Sequence, residues 1–168
     1  MREAKGEASI ISYAAGISAC EKGGQWQRAL SLLSELRKVR LEPTALLTYN
    51  AGISACEKGK QWQHALSLLS QMWEARVEAS VVSCGAGVSA CEKGGQWQQA
   101  LSLLNNMSEA KLTANCICYN AGISACEKGS QWQQALSLLS RMCEAKVEAD
   151  VIYTTVNPHS KDEPLPKA

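Results

Sequence analysis

A chain of 168 residues with 46% hydrophobic and 20% charged residues has the composition of a folding polypeptide and not of a disordered one. Its 17 Lys and Arg against 16 Asp and Glu give a net charge of +1, so bulk charge alone does not draw in nucleic acid or anionic lipid, and any polyanion contact must come from local placement of lysines. No run approaches the roughly 18 apolar residues of a membrane span, and Met1-Arg2-Glu3-Ala4-Lys5 has neither the apolar core of a signal peptide nor the Arg/Ser-rich character of a transit peptide.

Phe is absent while Trp occurs five times, a skew that points to copying of one template. The phrase Ala-Gly-Ile-Ser-Ala-Cys-Glu-Lys-Gly begins at Ala15, Ala51 and Ala121, with a Val-for-Ile variant at Ala86. The intervals are 36, 35 and 35 residues, which predicts a stacked array of identical units. In chain order, residues 1–9 align with Met142 to Asp150 and form the end of a preceding unit, opening in the middle of its second helix. Repeat 1 covers 10–45. Its first helix is expected from Ile11 to Lys22 and stops at Gly23-Gly24, where glycine takes the left-handed backbone that closes a helix. Its second helix is expected from about Gln25 to Lys38, where Trp26, Ala29, Leu30, Leu33 and Leu36 make an amphipathic stripe.

The same stripe recurs from Trp62, Trp97 and Trp132, so repeats 2, 3 and 4 cover 46–80, 81–115 and 116–150. Connectors containing Pro43, Ala79, Ala114 or Ala149 join one unit to the next, and Ala45 is the extra residue of the 36-residue unit. Residues 151–155 begin an incomplete unit, and 156–168, with Pro158, Pro164 and Pro166, read as a flexible tail. No polar capping helix is visible at either end, which predicts a fragment or a truncated gene product. No strand-like alternation of useful length occurs. The expected fold is all-α: an α-solenoid, a right-handed superhelix of antiparallel helix pairs, first helices inward and second helices outward.

Gly16, Gly52, Gly87 and Gly122 fall mid-helix, where each costs about 1 kcal/mol relative to Ala. Either they permit close helix approach or the array is marginally stable. Cys20, Cys56, Cys91 and Cys126 share one slot per unit and read as small buried hydrophobes in a reducing compartment, not as a disulfide framework. Cys116 and Cys118 lack the spacing of a zinc pair.

The layout Tyr49-Asn50-Ala51-Gly52-Ile53-Ser54-Ala55-Cys56-Glu57-Lys58-Gly59, followed by Ala65-Leu66-Ser67-Leu68-Leu69 and Met72, resembles the pentatricopeptide repeat family, as does Val147-Glu148-Ala149-Asp150. The resemblance covers residues 1 to about 155. A tetratricopeptide array, with its period of about 34, would not give 106 residues over three intervals. The resemblance implies sequence-specific binding of single-stranded RNA, one base per repeat, in a chloroplast or mitochondrion, in RNA processing, stability or editing. It implies base-reading pairs Ala14 with Thr44, Asn50 with Ser80, Gly85 with Asn115, and Asn120 with Asp150. It also implies apolar base-packing residues Ile11, Leu47, Val82 and Ile117. By the family's pattern Asn120 with Asp150 looks like a uracil reader and Asn50 with Ser80 like a pyrimidine reader, while Gly85 and Ala14 offer no polar atom to discriminate bases.

Lys22, Lys58, Lys93 and Lys128 recur once per unit at the end of each first helix. On the concave face they would form a ladder for successive phosphates; as helix C-terminal cations they also complement the macrodipole. Thr44, Ser80, Asn115 and Asp150 each directly precede a helix, so capping explains them as well as base reading does. Trp26, Trp62, Trp97 and Trp132 read as interhelical core in preference to stacking platforms, Trp73 as surface, and Tyr13, Tyr49 and Tyr119 as packing residues. Some members of the family end in a zinc deaminase domain with His-x-Glu and Cys-x-x-Cys elements, neither of which is present here. His64 sits in an exposed slot and His159 in the tail, and no nucleotide loop, nucleophile elbow or paired-carboxylate site is visible. The expected protein is non-catalytic, with no cofactor, no metal, no membrane contact and no small-molecule substrate. The partner expected from the resemblance is single-stranded RNA, pyrimidine-leaning at repeats 2 and 4. The competing readings are a scaffold holding a protein partner in the groove and an inactive repeat fragment.

Overall fold

The computed structural model describes the backbone of residues 2–38 and 45–145, and side chains of 11–37 and 46–145. Thr44, Asp150, the beginning of a fifth unit and the Pro-containing tail lie outside the described residues. Within them the chain forms eight helices and no strand: α1 (Arg2–Lys22), α2 (Trp26–Lys38), α3 (Ala45–Lys58), α4 (Trp62–Glu74), α5 (Val81–Lys93), α6 (Trp97–Glu109), α7 (Cys116–Lys128) and α8 (Trp132–Glu144). The chain is an all-α solenoid in which odd-numbered helices are the first helices of the units and even-numbered helices the second.

Each first helix ends in the same closing turn. The N–H of Gln25, Gln61, Gln96 and Gln131 donates to the carbonyl of Cys20, Cys56, Cys91 and Cys126 at 2.8–2.9 Å. This six-to-one bond requires a left-handed residue just before the glutamine. Gly24 and Gly95 supply it at φ +65° and +68°, whereas Lys60 and Ser130 adopt it as L-residues at +56° and +55°. Helices α4 and α6 close likewise, with Arg76 and Lys111 at φ +54° and +57°. Here the N–H of Val77 and Leu112 reaches back to Met72 and Met107, and the Val77 and Leu112 side chains pack against the core. Helix α5 begins at a capping box between Ser80 and Ser83, and α7 at an N-cap in which Asn115 accepts from the Cys118 N–H at 3.0 Å.

Residues 2–9, aligned by sequence with the end of a second helix and its connector, are instead helical and run without a break into the first helix. The alignment supplies a reason. The residue corresponding to Val77 and Leu112 is Gly6, which has no side chain to tuck against the core and fix the closing turn.

Helices α1, α3, α5 and α7 stack backbone to backbone in sequence, while each second helix lies close to its own first helix and the first helix of the following unit and meets the next second helix only through side chains, as Arg37 meets Gln71 and Arg141 meets Asn105. The second helices therefore splay and the first helices form the tighter, inner row. The mid-helix glycines make this stacking possible. A Cβ at Gly87 would lie 2.6 Å from Leu69 of the preceding α4 and 2.8 Å from Leu103 of its own α6; one at Gly122 would lie 2.6 Å from Leu104 and 3.1 Å from Leu138. Gly52 sits in the same notch, between Leu33 and Leu68. Close helix approach accounts for Gly52, Gly87 and Gly122. A second notch seats the tryptophans: any methyl group at Gly59, Gly94 or Gly129 would overlap the indole of Trp26, Trp62 or Trp97. The core then runs continuously through the array, with Ile17, Ile53, Val88, Leu69, Met72, Met107 and Leu138 closed to solvent.

Candidate functional site

The inner row of helices carries a column of exposed apolar side chains. Ile11, Leu47, Val82 and Ile117 each stand at 61–67% exposure, one per unit, near the start of a first helix in α3, α5 and α7 and at the equivalent place in α1. Water-facing Leu, Ile and Val in four equivalent slots form a repeated surface feature, unlike apolar residues scattered singly.

Three residues further along lie the positions expected to read bases. Asn50 is half-buried, and its Oδ1 accepts a hydrogen bond from the Ser83 hydroxyl of the next unit. Ser83 is fully buried. Its backbone N–H donates to Ser80 Oγ at 3.2 Å, the Ser80 N–H donates to Ser83 Oγ at 3.1 Å, and the two hydroxyls lie 3.0 Å apart. Because the Ser83 proton is committed to Asn50, the Ser80 hydroxyl must donate to Ser83. The relay runs Ser80 to Ser83 to Asn50, fixing the amide with its NH2 group as the remaining donor. Asn50 and Ser80 are thus brought together through Ser83, a residue not singled out by sequence; the Ser80-x-x-Ser83 spacing of a capping box was the available signal.

In the next unit the same place has different chemistry. Gly85 is buried, and a Cβ there would come within 3.1 Å of Cys118 Sγ, the residue that occupies the Ser83 slot one unit on. Asn115 is exposed and engaged in capping α7. Ala14 is half-buried and its partner Thr44 is outside the described residues; Asn120 is half-buried and its partner Asp150 is likewise outside them.

The lysines are paired. Lys58 Nζ lies 3.0 Å from Glu21 and Lys93 Nζ 2.7 Å from Glu57, and Lys128 forms the equivalent ion pair with Glu92. Each Glu-Lys dipeptide therefore bridges two units, and Lys22 is the member of the ladder with no ion pair among the described residues. These are partly exposed pairs, each worth about 0.2–1 kcal/mol, but they bring a negative charge beside each of three ammonium groups.

The remaining expectations concern packing. Trp26, Trp62 and Trp97 are half-buried against the following unit, and Trp26 also meets the exposed His64 ring at a centroid distance of 5.2 Å. Trp73 is exposed, Tyr49 and Tyr119 are buried, and the half-buried Tyr13 donates to Glu35 at 3.3 Å. All eight cysteines are free thiols. Burial pushes Cys56, Cys84 and Cys91 up to about 11, so these thiols stay protonated and unreactive at neutral pH. Among the described residues no cluster of metal-ligating side chains occurs, and no helix is long and apolar enough to cross a membrane.

A row of stacked first helices, a splayed outer row and one recurrent surface slot per unit define a helical-hairpin repeat protein. The family model for the pentatricopeptide repeat domain matches residues 2–59 and 67–129, and that for the single PPR repeat matches 47–77 and 117–147. The chain belongs to the pentatricopeptide repeat family. Among solved structures it is similar to the maize pentatricopeptide repeat protein PPR10, with 26% identity and a TM-score of 0.74 over 85% of this chain. It is also similar to PPR10 in complex with an 18-nt psaJ RNA element, with 25% identity and a TM-score of 0.72 over 83% of this chain. The PPR domain of Arabidopsis thaliana protein-only RNase P 1, in complex with tRNA, shares the fold at 16% identity and a TM-score of 0.69, covering 79% of this chain and 69% of that one. The chain spans 20% of the length of PPR10. No curated protein matches it.

Proposed function

We propose that the chain binds single-stranded RNA along its inner row of helices, one base per repeat and without catalysis of its own, as part of RNA processing, stability or editing in a chloroplast or mitochondrion. The column Ile11, Leu47, Val82 and Ile117 carries this reading. Packed helices lie about 8–10 Å apart, whereas bases on one strand of a duplex rise about 3.4 Å. A strand following the column must therefore unstack, and each base gains an apolar side chain in place of its neighbour. Only a single strand can do this. The likeness to PPR10 solved with an RNA element supports the same partner.

Base preference follows from the amides. The Asn50 NH2 group, held by the Ser80–Ser83 relay, is a donor suited to a ring carbonyl of uracil or cytosine. Asn120 offers the same group in repeat 4, with Asp150 as its partner in the family's pattern. Gly85 and Ala14 provide no such group, so repeats 1 and 3 hold a base without reading it. Four units hold about four nucleotides, and at about 1–3 kcal/mol of stacking per base the isolated chain binds weakly.

A second reading, a groove for a protein partner, draws on the ion pairs: three of the four ladder lysines already face a glutamate, which leaves less charge for phosphates. Fluorescence anisotropy separates the two. Labelled U-rich, A-rich and duplex RNAs are titrated at two salt concentrations. Salt-sensitive binding that prefers pyrimidine single strands, falls on Leu47→Ser plus Val82→Ser, and leaves the RNA uncut supports RNA recognition. A folded chain that binds none of them at the highest soluble concentration refutes it.

A further inference from the structure

Two positions break the repeat template, and they meet at one pocket. The first is Cys84, which stands where repeats 1, 2 and 4 carry Tyr13, Tyr49 and Tyr119. Tyr49 and Tyr119 are buried, and Tyr13 donates its hydroxyl to Glu35. The second is Trp73, an exposed indole where the other second helices carry Arg37, Ser108 and Cys143. Trp73 and Cys84 line a pocket of about 290 Å³ together with Asn106, Met107, Glu109 and Leu112. Its walls come from α4, α5, α6 and the connector after α6, all among the described residues.

A cysteine in place of a tyrosine takes a ring out of the space between α5 and α6. In repeat 4 the equivalent pocket is walled by Tyr119 and Arg141, and Met142 is not part of its lining. In repeat 3 the pocket reaches Met107, the counterpart of Met142 and a core side chain. The polar end of the missing side chain also has its partner in place. Asn106 follows Cys84 by 22 residues, as Glu35 follows Tyr13. Among the described residues the Asn106 side-chain amide makes no hydrogen bond.

We propose that this pocket binds a small phenol, whose ring takes the space left by the absent tyrosine side chain. The ring lies between the Trp73 indole and the Met107 thioether, surroundings that favour a flat aromatic group over an aliphatic one. Its hydroxyl donates to the side-chain carbonyl of Asn106, as Tyr13 donates to Glu35. The pocket is at the small end of the range of ligand sites, which suits one ring with a short substituent. Burial pushes the Cys84 thiol up to about 11, so the floor is uncharged and the thiol forms no bond to the ligand. The Glu109 carboxylate in the wall disfavours an anionic ligand and selects the neutral phenol. The site is separate from the inner column of Ile11, Leu47, Val82 and Ile117, and the proposal does not depend on what that column binds.

Isothermal titration calorimetry of the full chain with p-cresol, the tyrosine side chain as a free molecule, tests the proposal. One p-cresol per chain is expected to bind, several-fold more tightly than toluene, which lacks the hydroxyl, or p-hydroxybenzoate, which carries a negative charge. Trp73→Ala, a change at an exposed residue, weakens binding by about tenfold. Asn106→Leu removes the preference for p-cresol over toluene. Cys84→Tyr fills the pocket with the chain's own ring; it abolishes binding and raises the urea midpoint, so that lost binding is not lost folding. The proposal is overturned if p-cresol does not bind up to its solubility limit, if Cys84→Tyr binds it as well as the unaltered chain, or if toluene binds as tightly. Tighter binding of N-acetyltyrosinamide than of p-cresol also overturns it, because the occupant is then a tyrosine of a protein partner.

Discussion

The seam between repeats 2 and 3 and the seam between repeats 3 and 4 are built from the same apolar parts; the second adds Arg141–Asn105 and Ser124–Glu92 hydrogen bonds, and on the inner face the two part company at one spot. In the first, Trp62 seats on Gly94, Gly87 fits between Leu69 and Leu103, and Glu57 pairs with Lys93. In the second, Trp97 seats on Gly129, Gly122 fits between Leu104 and Leu138, and Glu92 pairs with Lys128. At the differing spot, Asn50 hydrogen-bonds Ser83 in the first seam, while Gly85 makes room for the Cys118 sulfur in the second. The scaffold is thus written in glycine, tryptophan and leucine. The polar character of the inner face at this spot is written in one pair of side chains that must fit each other across the seam.

The largest test asks whether the shared parts are equivalent. Gly94→Ala and Gly129→Ala each place a methyl carbon 2.3 Å from an indole carbon, so the tryptophan or its helix must shift. Overpacking of this kind costs about 1–3 kcal/mol, and the two variants are expected to lose similar amounts in urea denaturation. A large loss at one glycine and none at the other would mean that the seams differ in their packing as well as in their polar spot.

Next comes the spot itself. Ser83→Ala removes the donor that holds Asn50 and leaves Asn50 Oδ1 without its partner, which costs about 1–3 kcal/mol when the group stays buried. Cys118→Ala removes one sulfur facing a glycine and is expected to cost less than Ser83→Ala. The same pair predicts how repeat 3 gains a base preference. Gly85→Asn alone collides with Cys118 and destabilises the array. Gly85→Asn with Cys118→Ser rebuilds the Asn–Ser contact of repeat 2, with Asn115 in place of Ser80 as the cap, recovers stability, and is expected to add a preference for a pyrimidine at the corresponding nucleotide. One hydrogen bond of about 0.5–1.5 kcal/mol translates into a change of several-fold in affinity between pyrimidine and purine at that place. Anisotropy with RNAs differing at one position reads it.

The period, the helix pairs and the buried cysteine slot were legible in the sequence because each unit repeats them, so four copies vote on every position. The apolar column was legible only through the family, since Leu47 or Val82 near a helix start reads locally as core. Two features escaped. Ser83 looks like a capping residue and nothing more, because its role depends on a side chain 33 residues earlier that only the stacking brings near. The lysine ladder suggested free ammonium groups, yet Glu21, Glu57 and Glu92, each beside a lysine in sequence, pair with the lysine of the following unit and not with their neighbour. Contacts across a seam have no local signature, whereas contacts within a helix do.

The smallest effect concerns the turns that lead into the two seams. Lys60 and Gly95 occupy the same left-handed position after α3 and α5, at φ +56° and +68°. A non-glycine residue pays about 1–2 kcal/mol for that conformation, while glycine loses more chain entropy on folding, by about 0.5–1 kcal/mol. The strain term is the larger. Lys60→Gly is therefore expected to stabilise the array by roughly 0.5–1 kcal/mol, and Gly95→Lys to destabilise it by a similar amount. Urea midpoints of the two variants, measured side by side, decide the matter. Opposite shifts mean that the backbone at this turn sets the cost. A fall in both would mean that the Lys60 side chain contributes something the strained turn conceals, and that the two turns, alike in geometry, are held by different forces.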